Sequence, residues 1–202
     1  MSAPEIAPRV MVYPHGAEPP RRVEPGWIAL AQLSPAPGRP IVFGDGSHPT
    51  TRLCATAVDF FCRQRRPDAV LDVGTGSGVL ARIARARGAR CVVATDIDPV
   101  ALASARAHAD LDAHQVEIHF STDAPDHWGA RFDVVVANIL EAPLRLLAPA
   151  LCRALRPGGV LLLGGFTRLQ IPGLRMLYED AGLTFDSHSD RGEWTVLTFQ
   201  SP

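Results

Sequence analysis

The sequence predicts an α/β domain built on a mostly parallel sheet that closes with an antiparallel hairpin. Three observations predict it. From residue 50 onward, short apolar runs alternate with helical stretches, the pattern of strands joined by crossover helices. The run 132–137 is apolar almost throughout, as suits a strand covered on both faces. Near the end of the chain, two runs follow one another across Asp190-Arg191-Gly192. That connection is too short for a crossover, so the pair must be antiparallel.

The elements follow from local signals. Residues 51–65 read as a helix with Leu53, Ala57, Phe60 and Phe61 on one side, its start capped by Thr51 and its neighbours. Residues 70–73 read as a strand, and 79–87 as a helix ended by Gly88. After a strand at 91–95, Asp98 is the N-cap and Pro99 the first turn of a helix running to Ala109. Strands follow at 116–120 and 132–137, then a helix at 143–155 stopped by Pro157-Gly158-Gly159. A strand at 160–163, a helix at 172–181 and strands at 183–188 and 194–199 complete a seven-stranded sheet. Ahead of this domain, residues 1–42 are dense in proline and read as an N-terminal arm. Its extended pieces, 10–13 and 27–31, are expected to pack on the domain edge as a short hairpin, with residues 43–202 forming the domain itself.

Composition narrows the function. A chain of 202 residues suggests one domain plus extras. The net charge of −1 predicts no bulk attraction to nucleic acid or to an anionic membrane. All 20 basic residues are arginine, which supplies planar forks in place of flexible ammonium groups. Cys54, Cys62, Cys91 and Cys152 form no C-x-x-C pair, so free thiols are expected, with Cys91 buried in its apolar run. The first residues lack the pattern of a signal peptide, and no apolar stretch approaches the roughly 18 residues of a membrane span. A cytoplasmic protein is expected on these grounds.

Four motifs carry chemistry. The first is Asp72-Val73-Gly74-Thr75-Gly76-Ser77-Gly78, between a strand and a helix, where Gly74, Gly76 and Gly78 permit a tight turn and close approach to a ligand. The second is Asp96, 24 residues after Asp72 at the end of the next strand, suited to accept from both hydroxyls of a ribose. A nicotinamide fingerprint would place its third glycine at position 79, where this chain has Val79. A carboxylate at Asp72 would face a cationic cofactor end and gain nothing from a pyrophosphate. These spacings point to S-adenosylmethionine, with a dinucleotide or an empty turn as the alternatives. The third motif, Ala137-Asn138-Ile139-Leu140-Glu141, places Asn138 where the transferred methyl should lie, its carbonyl able to align an amine. No aromatic follows it, which argues against a flipped base. The fourth is Phe43-Gly44-Asp45-Gly46-Ser47-His48-Pro49-Thr50-Thr51, a glycine-bearing loop with a helix cap.

Lesser candidates are His48 as a substrate contact, Asp123 as an acceptor for the adenine amino group, and Glu141 as an attraction for a cationic amine. Arg63, Arg65, Arg66, Arg82, Arg85 and Arg90 read as solvated helix faces. Ser77 lacks a nucleophile elbow, and no histidine spacing suggests a metal.

Taken together the motifs resemble the ribosomal protein methyltransferases that modify large-subunit protein eleven on amino groups. That family's loop reads F-G-T-G-x-H-x-T-T, and residues 43–51 are similar to it. Residues 70–80, Asp96-Ile97-Asp98-Pro99, residues 136–140 and Glu193-Trp194 are similar to its other motifs. The resemblance covers about residues 41–200. It implies a Rossmann-like, seven-stranded class I methyltransferase sheet, and cofactor contacts at Thr51, Gly74, Asp96 and Asn138. It further implies a lid role for the loop and N-methylation of a protein amine, on a lysine or an N-terminus. Asp45 departs from the family threonine. The Pro-rich arm is shorter than the family's N-terminal substrate-binding domain, so a catalytic domain alone is expected, with a protein substrate that need not be ribosomal. The rival readings are a small-molecule methyltransferase and a non-catalytic, cofactor-binding partner subunit.

Overall fold

The structure, a computed structural model, describes residues 5–14, 25–33, 42–112 and 117–202. In chain order its elements are β1 (Glu5–Ala7), β2 (Val10–Pro14), β3 (Ile28–Gln32), α1 (Pro49–Arg65), β4 (Ala69–Val73), α2 (Val79–Ala86), β5 (Cys91–Thr95), α3 (Pro99–Ala109), β6 (Ile118–Ser121), β7 (Phe132–Asn138), α4 (Glu141–Ala154), β8 (Leu155–Thr167), α5 (Ile171–Asp180), β9 (Thr184–Arg191) and β10 (Trp194–Gln200). The main sheet has seven strands in the order β6-β5-β4-β7-β8-β10-β9. Strands β6, β5, β4, β7 and β8 run parallel, and β10 pairs antiparallel with both β8 and β9. The hairpin turns at Gly192-Glu193, since Arg191 faces Trp194 across it.

Successive strands leave β4 toward β5 and β6 on one side, then jump to β7 on the other. The switch point therefore lies between β4 and β7, whose register sets Val73 opposite Ala137. In an open sheet of this kind, ligands bind beyond the carboxyl ends of the strands at that point. Both faces are covered. Val70, Val92, Val134, Val136 and Leu162 join α1 and α2 residues on one side. Leu71, Val93, Val135, Leu161 and Leu163 join Leu144, Leu151, Leu174 and Tyr178 on the other. The Tyr178 hydroxyl is buried but donates to the Leu144 carbonyl at 2.8 Å, which ties α5 to α4.

The arm forms a second, three-stranded sheet in the order β1-β2-β3. β1 and β2 make an antiparallel pair, while β2 and β3, the two extended pieces read from the sequence, run parallel. Two arginines fasten this sheet to the main domain. Arg82 on α2 donates to the Ala31 carbonyl at 2.6 Å and grips Asp112 with Nε at 2.9 Å and Nη2 at 2.5 Å. Arg87 pairs with Asp59 of α1 at 2.5 Å and donates to the Gly26 carbonyl at 2.6 Å.

Several local expectations are corrected. Arg82 is not a solvated face residue but the largest fully buried side chain described, 1% exposed. Helical spacing alone could not show that the arm and Asp112 surround it. The buried stripe of α1 is Thr51, Cys54, Ala55, Val58 and Cys62, while Phe60 is exposed. Phe60, two residues after Val58, falls about 200° around the helix from it and so faces outward. The cap of α1 is His48, whose ring nitrogen accepts from the Thr50 amide, so the helix begins at Pro49, ahead of Thr51. α4 starts at Glu141 and ends at Ala154, and β8 runs straight on through Pro157-Gly158-Gly159. Val116 and His114 lie outside the described residues. All four cysteines are free, Cys91 being half-buried where full burial was expected. Among the described residues, no helix is long and apolar enough to cross a membrane.

Replacing Arg82 with methionine would leave the Asp112 carboxylate buried without its cation. Arg82→Met is expected to lose about 3–5 kcal/mol of stability in urea unfolding. The double change Arg82→Met with Asp112→Asn should recover part of it. A loss below about 1 kcal/mol would mean that the pair is solvated and does not hold the arm.

Candidate active site

Three acids and amides stand at the carboxyl ends of three adjacent strands. Asp72 is the fourth residue of β4, Asp96 follows β5 and Asn138 ends β7. Between Asp72 and α2 the chain makes the glycine turn, and its hydrogen bonds can be followed one by one. The Gly74 and Thr75 amides both donate to the Thr95 carbonyl, at 2.8 and 3.0 Å. The Gly76 amide donates to Asp96 Oδ2 at 3.1 Å. The Ser77 amide donates to the Phe43 carbonyl at 3.0 Å, and the Gly78 amide to the Thr75 carbonyl at 2.9 Å. Every N–H from Gly74 to Gly78 therefore has a protein acceptor. An anion at a helix N-terminus needs such groups free.

The acceptors nearby tell the opposite story. Asp72 is fully buried. Its Oδ2 accepts from Thr75 Oγ1 at 2.6 Å and from the Ala81 amide at 3.2 Å, while Oδ1 has no partner among the described residues. Burial pushes its carboxyl up to about 6, opposed by those two hydrogen bonds and reinforced by the nearby Asp96. Asn138 is 9% exposed; its Nδ2 donates to Thr51 Oγ1 at 3.5 Å, and its Oδ1 likewise has no partner among the described residues. Asp96 is half-buried, with Oδ1 accepting from the Asp98 amide at 3.0 Å. The site thus presents acceptors and a carboxylate, suited to hydroxyls, amines and cations.

Steric limits fix the turn. A Cβ on Gly74, where φ is +69°, would collide with Ile139 Cγ2. A Cβ on Gly76, where φ is +54°, would lie 2.5 Å from the Phe43 carbonyl oxygen. The loop 42–48 therefore rests directly on the glycine turn. Its His48 ring meets the Phe43 ring at 5.2 Å and the Trp194 ring of β10 edge-on at 4.7 Å.

The chain matches the family described as Ribosomal protein L11 methyltransferase (PrmA) over residues 5–202. It is 42% identical over 197 residues to a ribosomal protein L11 methyltransferase of Dechloromonas aromatica, covering 98% of this chain and 62% of that protein. The chain belongs to the ribosomal protein L11 methyltransferase family. A relative of the same description from Chromohalobacter salexigens is 39% identical over 199 residues, covering 98% of this chain and 63% of that protein. The chain thus spans less than two thirds of the length of these relatives. The crystal structure of a ribosomal protein L11 methylase from Lactobacillus delbrueckii subsp. bulgaricus superposes with a TM-score of 0.84 at 27% identity, covering the whole of both chains. The seven-stranded sheet is that of the class I methyltransferases.

In this member of the family the residues singled out from the sequence converge. Thr51 meets Asn138, Asp96 meets Gly76, and Asp72 lies beneath the same turn. Glu141 does not fit the part of a free anion, because Gln170 and Arg145 donate to it and hold its carboxyl below the usual range. Asp123 is exposed just beyond β6 and accepts from Ser121 Oγ at 2.6 Å. His48 serves as helix cap and ring partner. Sequence spacing missed Ile139, which fills the space that Gly74 leaves open. It also missed Cys54 and Gly164, which pack behind Asn138: a Cβ on Gly164 would meet Cys54 Sγ, and would sit 3.1 Å from Asn138 Oδ1.

Gly158 has φ of +73° with open space around it, so Gly158→Ala measures backbone strain alone. Gly76→Ala adds the encounter with the Phe43 carbonyl. In thermal unfolding it is expected to destabilise by at least about 1 kcal/mol more than Gly158→Ala. Equal losses would show that the loop does not press on the turn.

Proposed function

We propose that the protein transfers a methyl group from S-adenosylmethionine to an amine of a protein substrate. The observation that carries this reading is the hydrogen-bond inventory of the site. Each amide of the glycine turn already has a protein acceptor, and the buried acceptors Asp72 Oδ1 and Asn138 Oδ1 lack donors. A pyrophosphate would find no free donor among the amides of Gly74 to Gly78. A ligand with an ammonium, a sulfonium and two ribose hydroxyls supplies what is missing, so the residues fit this cofactor.

The roles divide by position. Asp96 accepts from the ribose hydroxyls with lone pairs that its two amide partners leave open. Asp72 provides negative charge beneath the turn for the cationic end, and Gly74, Gly76 and Gly78 let the backbone approach without side chains. Thr51 closes the site from the α1 side. Asn138 directs its carbonyl at the amine that receives the methyl, aligning the nitrogen for attack. The cofactor itself supplies a methyl on a good, neutral leaving group. The protein's contribution is then alignment and exclusion of water. Residues 43–202 form the catalytic domain in this reading, with residues 1–42 as an arm. The acceptor proposed is a lysine or N-terminal amino group, and the descriptions of the relatives as ribosomal protein L11 methyltransferases support a protein as the substrate that bears it. No nucleic acid or membrane partner is needed, and the cytoplasm is the compartment proposed.

Incubation with methyl-labelled S-adenosylmethionine and ribosomal protein L11 or a cell extract should place label in protein. Asn138→Ala should lower turnover roughly 100-fold. Label found only in small molecules or RNA, or unchanged turnover in the variant, would overturn the reading.

The raised Asp72 carboxyl gives an independent check with a definite sign. In the free protein Asp72 holds a proton below about pH 6. A cation bound beside it favours the carboxylate, so binding releases a proton there. Affinity should rise as pH increases through 6 and level off above it. Calorimetry in two buffers of different ionisation enthalpy should find proton release near pH 6 that Asp72→Asn abolishes. Proton uptake would place the cation elsewhere.

A further inference from the structure

Ser77 stands one residue before the N-cap of α2 and does not cap the helix. The N-cap is Gly78, and no side chain caps α2. Ser77 instead turns both of its donors away from the helix, across to a segment 33 or so positions earlier in the chain. Its amide donates to the Phe43 carbonyl at 3.0 Å, and its buried hydroxyl to the Gly44 carbonyl at 2.6 Å.

Apart from the contact of the Phe43 and His48 rings, the loop has little else at that end. Phe43, its one large apolar residue, is 54% exposed, so burial does not hold it. At its far end it is anchored differently. Arg52 Nε donates to the Gly46 carbonyl at 2.9 Å, and Gly46 lies against Ile6 of β1, whose Cγ2 would be 2.6 Å from an added Cβ. Past His48 the loop becomes α1 without interruption, and Thr51 in the first turn of that helix reaches Asn138. The segment that Ser77 grips therefore leads directly into the helical turn that carries Thr51.

We infer that Ser77 is a positioning residue: it latches the loop 43–48 onto the glycine turn, and through the start of α1 holds Thr51 against Asn138. The consequence for methyl transfer rests on the function proposed above; the latch itself does not. With the latch closed, the loop covers one side of the turn. Gly44 completes the fit, because a Cβ there would come within 3.0 Å of the Ser77 hydroxyl oxygen.

Amide hydrogen exchange of the unliganded protein, with S-adenosylhomocysteine dissociation measured alongside, tests this. Ser77→Ala should raise exchange in residues 43–48 about fivefold while β4 and β7 keep their protection. Dissociation should quicken by a similar factor, with kcat falling more than KM rises. Gly44→Ala should do the same from the other side of the contact, with Ser77 intact. Ser77→Cys, a weaker donor, should fall between. Unchanged exchange in 43–48 for both variants would overturn the latch, as would loss of protection spread evenly over the sheet. If the wild type binds no cofactor, the proposed function fails, yet the exchange of the unliganded loop still decides the latch.

Discussion

The hydrogen bonding of Gly74 to Gly78 is the constraint on which the rest of the site depends. A turn between a parallel strand and a helix presents several amides in one direction, and left free they would make an anion site. Here each is occupied by a protein acceptor, three of them from outside the turn: Thr95, Asp96 and Phe43. Those acceptors belong to the end of β5, the residue that follows it, and the loop before α1. The turn therefore binds together the pieces that surround it, and what remains open is acceptor capacity. That reversal, and not the glycine spacing alone, separates this site from a phosphate-binding one built on the same sheet.

The same constraint explains the packing around it. Gly74 leaves space that Ile139 fills, and Gly76 leaves space that the Phe43 carbonyl occupies. The segment after β7 and the segment before α1 thus approach the turn from two sides and meet where Thr51 touches Asn138. Outside this centre, Arg82 and Arg87 hold the arm by donating to carbonyls at Ala31 and Gly26, while Asp112 and Asp59 balance their charge. A buried guanidinium is tolerable only when its donors are matched in this way. The arm in turn sets Ile6 beside Gly46, so it supports the far end of the loop that covers the turn.

Much of the fold was legible in the sequence, because alternation of apolar runs and helices is a local signal. The antiparallel finish followed from the brevity of the turn between β9 and β10. The positions of Asp72, Asp96 and Asn138 at strand ends were legible for the same reason, since a strand end and a glycine are both local features. What the sequence could not reveal depends on partners far along the chain. Arg82 read as a surface residue because its helix spacing gives no hint of Ala31 and Asp112. Ser77 read only as a serine without a nucleophile elbow, because its partners Phe43 and Gly44 lie far along the chain. Phe60 read as core because its hydrophobicity was visible, while the phase of the buried stripe through Cys54, Ala55 and Val58 was not. Glu141 read as a free anion because Gln170 arrives from another element.

The central claim is that the glycine turn offers acceptors and not donors to its ligand. Side-by-side calorimetric titration of S-adenosylmethionine and NADH into the wild-type protein and Asp96→Ala tests it most directly. The account predicts micromolar binding of S-adenosylmethionine, weakened by the substitution, and no binding of NADH. Binding of NADH with S-adenosylmethionine excluded would contradict it, because the site would then favour a ligand that needs donors over one that supplies them.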